Sequence, residues 1–118
     1  MRILITGSRN WNDVETMIEV LSPYNITRDV KTLVHGGASG ADIIAGEIAA
    51  EFGWCVEEYP ADWQAHGKAA GPIRNQKMVD LGADVCLAFP LGESRGTRHC
   101  MKSAEKAGIK VINHGDEE

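Results

Sequence analysis

The chain has few of the residues that cross-link, break or stack a fold. Its 118 residues include only 3 cysteines, 4 prolines and 6% aromatics. Cys55, Cys86 and Cys100 are an odd number and form no close-spaced pair, which excludes a disulfide framework and fits a reducing compartment. Cys55 and Cys86 lie in apolar runs, where buried reduced thiols are expected. No apolar run approaches the roughly 20 residues of a membrane helix. The first residues read as a strand rather than a targeting segment, so a cytoplasmic protein without a membrane partner is expected. Positive charge is also scarce, with 12 Lys and Arg against 17 Asp and Glu and a net charge of −5. Proteins that grip nucleic-acid backbone carry a basic surface, so nucleic acid is not the expected partner.

Sharper signatures are missing too. No G-x-G-x-x-G follows the first apolar run. Gly67-Lys68 is followed by Ala69, and no glycine stands five residues before Gly67, so no Walker A loop is present. There is no G-x-S-x-G elbow. Cys and His do not cluster at zinc spacing, and His66 has no second ligand at a helpful distance. Neither a metal nor a cofactor is expected.

What the chain does contain is a glycine-rich turn between two regular patterns. The apolar run Thr32 to Val34 stops at His35-Gly36-Gly37-Ala38-Ser39-Gly40-Ala41-Asp42, and a helix pattern starts at once. Glycines let backbone approach an anion closely, and the N–H groups of a first helical turn point at it. This is the layout of a phosphate cradle. Ser39 and Asp42 fit an S-x-x-D capping pattern. An anionic Asp42 would repel phosphate, so a ribose hydroxyl suits it better.

Five short apolar runs alternate with four helical patterns. The runs are Ile3–Ile5, Thr32–Val34, Cys55–Val56, Val85–Phe89 and Val111–Ile112, typical of strands buried on both faces. The first helix carries the stripe Val14, Met17, Ile18 and Leu21, with Asn12 and Glu15 as its capping box. The second places Ile44, Ile48 and Phe52 on one face and ends at Gly53. The third starts near Pro72, and the fourth runs from about Thr97 to Ala107. Such alternation predicts a single compact Rossmann-like α/β domain over residues 1–113. It is doubly wound, with about five parallel strands and helices on both faces. An acidic flexible tail is expected over 114–118.

In open parallel sheets, ligands bind beyond the carboxyl ends of the strands. Three loops share that edge, Gly7-Ser8-Arg9-Asn10, His35 to Asp42 and Pro90 to Thr97. The expected ligand-binding residues are Gly7, Ser8, Arg9, Gly36, Gly37, Ser39, Gly40, Asp42, Arg74, Asn75, Arg95, Gly96 and Thr97. Arg74 and Arg95 stand near helix starts, where a cation opposes the helix dipole unless an anion is bound. Trp63 stacks on a base or seals the long Tyr59–Ala70 stretch against the core, with the core as the expected place. Trp11 and Trp54 read as packing residues.

Gly7-Ser8-Arg9 and His35 to Asp42 resemble motifs of the YspA-related branch of the SLOG superfamily. So do Ala61-Asp62-Trp63, Gly67-Lys68-Ala69-Ala70-Gly71-Pro72-Ile73-Arg74-Asn75 and Gly96-Thr97. The resemblance covers nearly the whole chain and implies a Rossmann-like fold and a nucleotide or nucleotide-derived ligand, phosphoribosyl or ADP-ribose-like. It also implies a homodimer and a bacterial or phage origin. The superfamily includes the Lonely Guy phosphoribohydrolases and the DNA-processing protein DprA. Arg74, followed by Lys77-Met78, resembles the Lonely Guy catalytic arginine. Gly96-Thr97 matches the G-T of P-G-G-x-G-T-x-x-E, but Cys100 stands where that pattern has glutamate. N-glycosidic cleavage builds oxocarbenium character that a carboxylate stabilises. Hydrolysis here would therefore need Asp42 or Glu93 to supply the carboxylate, with Arg74 holding phosphate. The expectation is a binding or sensor module. The alternatives are a phosphoribohydrolase-like enzyme and, by analogy with DprA, a DNA-associated protein.

Overall fold

The computed structural model describes residues 1–116. Strands β1 (Arg2–Gly7), β2 (Thr32–His35), β3 (Cys55–Glu58), β4 (Val85–Phe89) and β5 (Lys110–Asn113) form one sheet in the order β3-β2-β1-β4-β5. All four pairings are parallel, and Ile3 stands between Leu33 and Val85 in register. Strand β4 coincides with its apolar run, and each of the other four is one to three residues longer, because polar ends such as Arg2 and Asn113 still join the ladder.

Helices α1 (Val14–Leu21) and α2 (Ala41–Glu51) cover one face of the sheet. Helices α4 (Ala70–Asp80) and α5 (Arg95–Lys106) cover the other. Alternation along β1 explains the division. Ile3 and Ile5 pack with Met17, Leu21, Ala45 and Ala49, whereas Leu4 packs with Met78, Val79, Cys100 and Ala104. Both sets are almost fully buried, and burial of each large side chain contributes about 1.5–3 kcal/mol.

Several local expectations change. Asp13, not Asn12, caps α1, accepting the Thr16 N–H at 3.0 Å. Only Met17 and Leu21 of the α1 stripe are buried, while Val14 and Ile18 stay exposed. Helix α4 starts at Ala70, so Pro72 is its third residue, still within the first turn where no N–H is required. The Tyr59–Ala70 stretch contains a short helix, α3 (Trp63–His66), capped by Asp62, and a 3₁₀ turn at Gly67–Ala69. Cys55 is exposed because β3 is an edge strand, whereas Cys86 and Cys100 are buried. Trp63 is half-exposed rather than sealed into the core.

Residues 114–116 lie against the β4–α5 loop. The His114 ring stacks on Phe89 at 5.5 Å, and Asp116 Oδ2 accepts the Gly92 N–H at 3.0 Å. The remainder of the expected tail, Glu117 and Glu118, lies outside the described residues.

Candidate functional site

The sheet order puts β1 at the centre, with connections leaving it in opposite directions. The crevice beyond the carboxyl ends of β1 and β4 is therefore the switch point of the fold. A cavity of about 400 Å³ opens there. It is walled by the loop after β1, the start of α2, the first turns of α4 and α5, and Trp63. A hollow of about 260 Å³ continues it under the glycine turn, sharing Arg9, Ala38, Trp63 and Arg74.

Of the residues singled out in the sequence, Gly7, Ser8, Arg9, Asp42, Arg74, Asn75, Arg95, Gly96 and Thr97 line the cavity. Gly36, Gly37 and Ser39 line the hollow. Gly40 and Glu93 line neither. Glu93 pairs with Arg95 at 2.8 Å, and both side chains are exposed, 72% and 86%. That pair is solvated and contributes little to stability.

Arg74 is the main organiser. From the first turns of α4, its Nη1 donates to the Gly36 carbonyl at 2.6 Å and to the Tyr59 carbonyl at 3.4 Å. Its Nε donates to Asn75 Oδ1 at 2.9 Å. Gly36 permits this approach, since a Cβ there would collide with the guanidinium. Asn75, almost fully buried, passes the connection on by donating Nδ2 to the Gly96 carbonyl at 3.1 Å. One cation and one amide thus link the glycine turn, α4 and the start of α5.

The three helices that face the cavity, α2, α4 and α5, all lack side-chain caps. Gly40, the N-cap of α2, adopts φ 81° and packs against the Ser8 and Arg9 carbonyls, a position closed to any other residue. Ser94, the N-cap of α5, is left-handed at φ 42° and turns its hydroxyl to Thr97 Oγ1 at 3.0 Å. The S-x-x-D capping box does not form. Asp42 reaches back instead, and its Oδ2 accepts the Gly36 N–H at 3.0 Å and the Ala38 N–H at 3.4 Å. Burial, partly offset by those N–H groups, pushes its carboxyl up to about 6.

Two contributors, His35 and Ser94, escaped the sequence reading of the site, and a third, Trp63, was expected in the core. Buried His35 accepts the Gly37 N–H on Nδ1 at 2.9 Å, and burial holds its ring below the usual range. A neutral imidazole thus shapes the turn. Its place at the last residue of β2, inside the motif, was the available signal. Ser94 has no sequence signal beyond its neighbour Gly92. Trp63 lies beneath the Arg9 guanidinium, 6.0 Å from its ring centre, and forms a wall common to both hollows. Cys100, at the place of the pattern's glutamate, is fully buried against Cys86 and Thr6. Among the described residues, no group of three or more His, Cys, Asp and Glu side chains could hold a metal, and no helix is long and apolar enough to cross a membrane.

Sheet order and cavity together define a Rossmann-like α/β domain with its pocket at the switch point. The chain belongs to the YspA, cpYpsA-related SLOG family, whose model matches residues 1–66. It is 53% identical to the Gene 61 protein of Mycobacterium phage D29, over 98% of this chain and 97% of that protein. Its fold is similar to that of DNA processing protein A (DprA) from Streptococcus pneumoniae, with a TM-score of 0.78 and 16% identity. That similarity covers 95% of this chain and 49% of the DprA chain, so the domain spans about half of the latter.

Proposed function

We propose that this domain binds a nucleotide or nucleotide-derived phosphate ligand as a sensor or binding module. One observation carries the reading. Helices α2 and α5 both begin at one cavity without side-chain caps, and Arg9 and Arg74 line the same space. Helix N-termini attract anions through their dipoles and their unpaired N–H groups. A planar guanidinium adds bidentate recognition of phosphate. Membership in a SLOG family supports the same ligand class.

The test is proton NMR of the protein with nucleoside monophosphates, cyclic nucleotides, NAD and ADP-ribose, followed over hours. Saturation transfer to a nucleotide without new peaks is expected. No binding at millimolar concentration overturns the reading. Growth of free-base and ribose-phosphate peaks, lost in Arg74→Ala, would replace it with a phosphoribohydrolase. The presence of a carboxylate, Asp42, in the cavity wall is the feature that favours that enzyme.

The fold likeness to DNA processing protein A carries a second reading, association with DNA. It predicts retardation of single-stranded DNA in low salt that weakens steeply as salt rises. The net charge of −5 opposes it.

A further inference from the structure

Asp42 lines the main cavity although it is only 5% exposed. One carboxylate oxygen, Oδ2, is held by the Gly36 and Ala38 N–H groups. The other, Oδ1, is buried without a hydrogen-bond partner among the described residues. Buried polar atoms of this kind are rare in folded proteins and call for a reason. Arg74, a neighbouring cation, directs Nη1 to the Gly36 and Tyr59 carbonyls and Nε to Asn75, not to Asp42.

The chemistry of the missing partner follows from the carboxylate. An ionised carboxylate only accepts hydrogen bonds, so the partner is a donor. Phosphate oxygens at neutral pH are acceptors with charge of the same sign, so the donor is not the phosphate. Asp42 stands two residues after Gly40, in the first turn of α2, beside the cradle itself. In a 5′-nucleotide, the group directly attached to the phosphate is the sugar, and the base lies farther off. The donors within that reach are the 2′- and 3′-hydroxyls. Asp42 lines the cavity and the χ2 torsion of aspartate is soft, so a turn of the carboxylate, eased by the long 3.4 Å bond to Ala38, is what would bring Oδ1 to a hydroxyl there.

We infer that Asp42 reads the sugar, accepting a ribose 2′- or 3′-hydroxyl on Oδ1, so that the site discriminates against a nucleotide that lacks that hydroxyl. The inference rests on the nucleotide reading above. It also runs against a DNA ligand, which has no 2′-hydroxyl and whose 3′-oxygens within the strand are esterified.

Isothermal titration at pH 7.5 with AMP, 2′-deoxy-AMP and 3′-deoxy-AMP tests it on the unmodified protein. At least one deoxy analogue is expected to bind about tenfold or more weakly than AMP, as for a hydrogen bond to a charged group left unmade. In Asp42→Asn, that ratio is expected to shrink several-fold, because the charge that strengthens the bond is gone. Equal affinity of all three for the unmodified protein overturns the inference and leaves nucleotide binding standing. An unchanged ratio in folded Asp42→Asn overturns the role of Asp42. No binding of any of the three, with none in the wider ligand panel, overturns the nucleotide reading and the inference with it. If Asp42→Asn does not fold, the comparison on the unmodified protein still decides between selection and none.

Discussion

Arg74 and Gly36 stand 38 residues apart in sequence and 2.6 Å apart in space, Nη1 to carbonyl oxygen. The contact exists because residue 36 has no side chain, and it puts a guanidinium at the back of the glycine turn. Arg74→Ala is expected to weaken nucleotide binding by about tenfold to a hundredfold, the range for a lost charge-assisted contact. Arg74→Lys should recover little of it, since an ammonium does not reproduce the fork that serves Gly36, Tyr59 and Asn75. Titration calorimetry with AMP measures both.

Gly36→Ala should reproduce much of the Arg74→Ala defect without touching the charge. A methyl group there meets the guanidinium and must displace it. Binding near that of the unmodified protein in Gly36→Ala would show that Arg74 does not need this seat.

Asp42 makes stability depend on pH in an unusual direction for a carboxyl. Burial pushes its folded value up to about 6 from the ordinary 3.8. The folded state therefore holds its proton more tightly than the unfolded state. Its contribution is present below about pH 4 and is lost as pH rises through 6. By linkage a shift of this size is worth about 3 kcal/mol. Urea unfolding of the unmodified protein and of Asp42→Asn at pH 5 and pH 7 reads the difference. The gap in stability should move toward Asp42→Asn at the higher pH.

Ser94 holds a left-handed backbone at the mouth of α5. Ser94→Val should cost about 1–3 kcal/mol, because a β-branched residue is disfavoured there. Ser94→Gly relieves that strain but loses the bond to Thr97, so its midpoint should stay close to that of the unmodified protein. Thermal melts separate the two.

Glu93→Ala is expected to change stability by less than about 0.5 kcal/mol, as for other exposed pairs. It should leave nucleotide affinity unchanged, because Glu93 does not line the cavity. A large loss of any turnover in Glu93→Ala would instead support its catalytic assignment.

The sheet was legible because β-branched apolar runs and glycine-ended helices repeat in strict alternation. The glycine turn was legible for a related reason, since three glycines in five residues mark a tight strand-to-helix turn. Caps were less legible. Asn12, Asp13, Ser39 and Asp42 are all good cap residues by type, and only the path of the chain decides which side chain reaches which N–H. Ser39-x-x-Asp42 misled because Asp42 satisfies the turn before the helix rather than the helix itself. Cys55 misled because an apolar run does not reveal that its strand lies at the edge. Arg74 was found by its place at a helix start, but its seat on Gly36 depends on a contact across 38 residues that no local pattern encodes.

The segment that follows β5 bears on how a ligand enters. The Asp116 N–H donates to the Pro90 carbonyl at 2.7 Å, its Oδ2 takes the Gly92 N–H, and Arg98 bridges the carbonyls of Gly92 and Asp116. The β4–α5 loop is thereby clasped from behind and does not swing outward as a door without first peeling that segment away. The opposite threshold is lighter, an arginine resting on a half-exposed indole, Arg9 over Trp63. A ligand of this cavity is accordingly expected to enter on the tryptophan side, with the clasped loop as the fixed jamb.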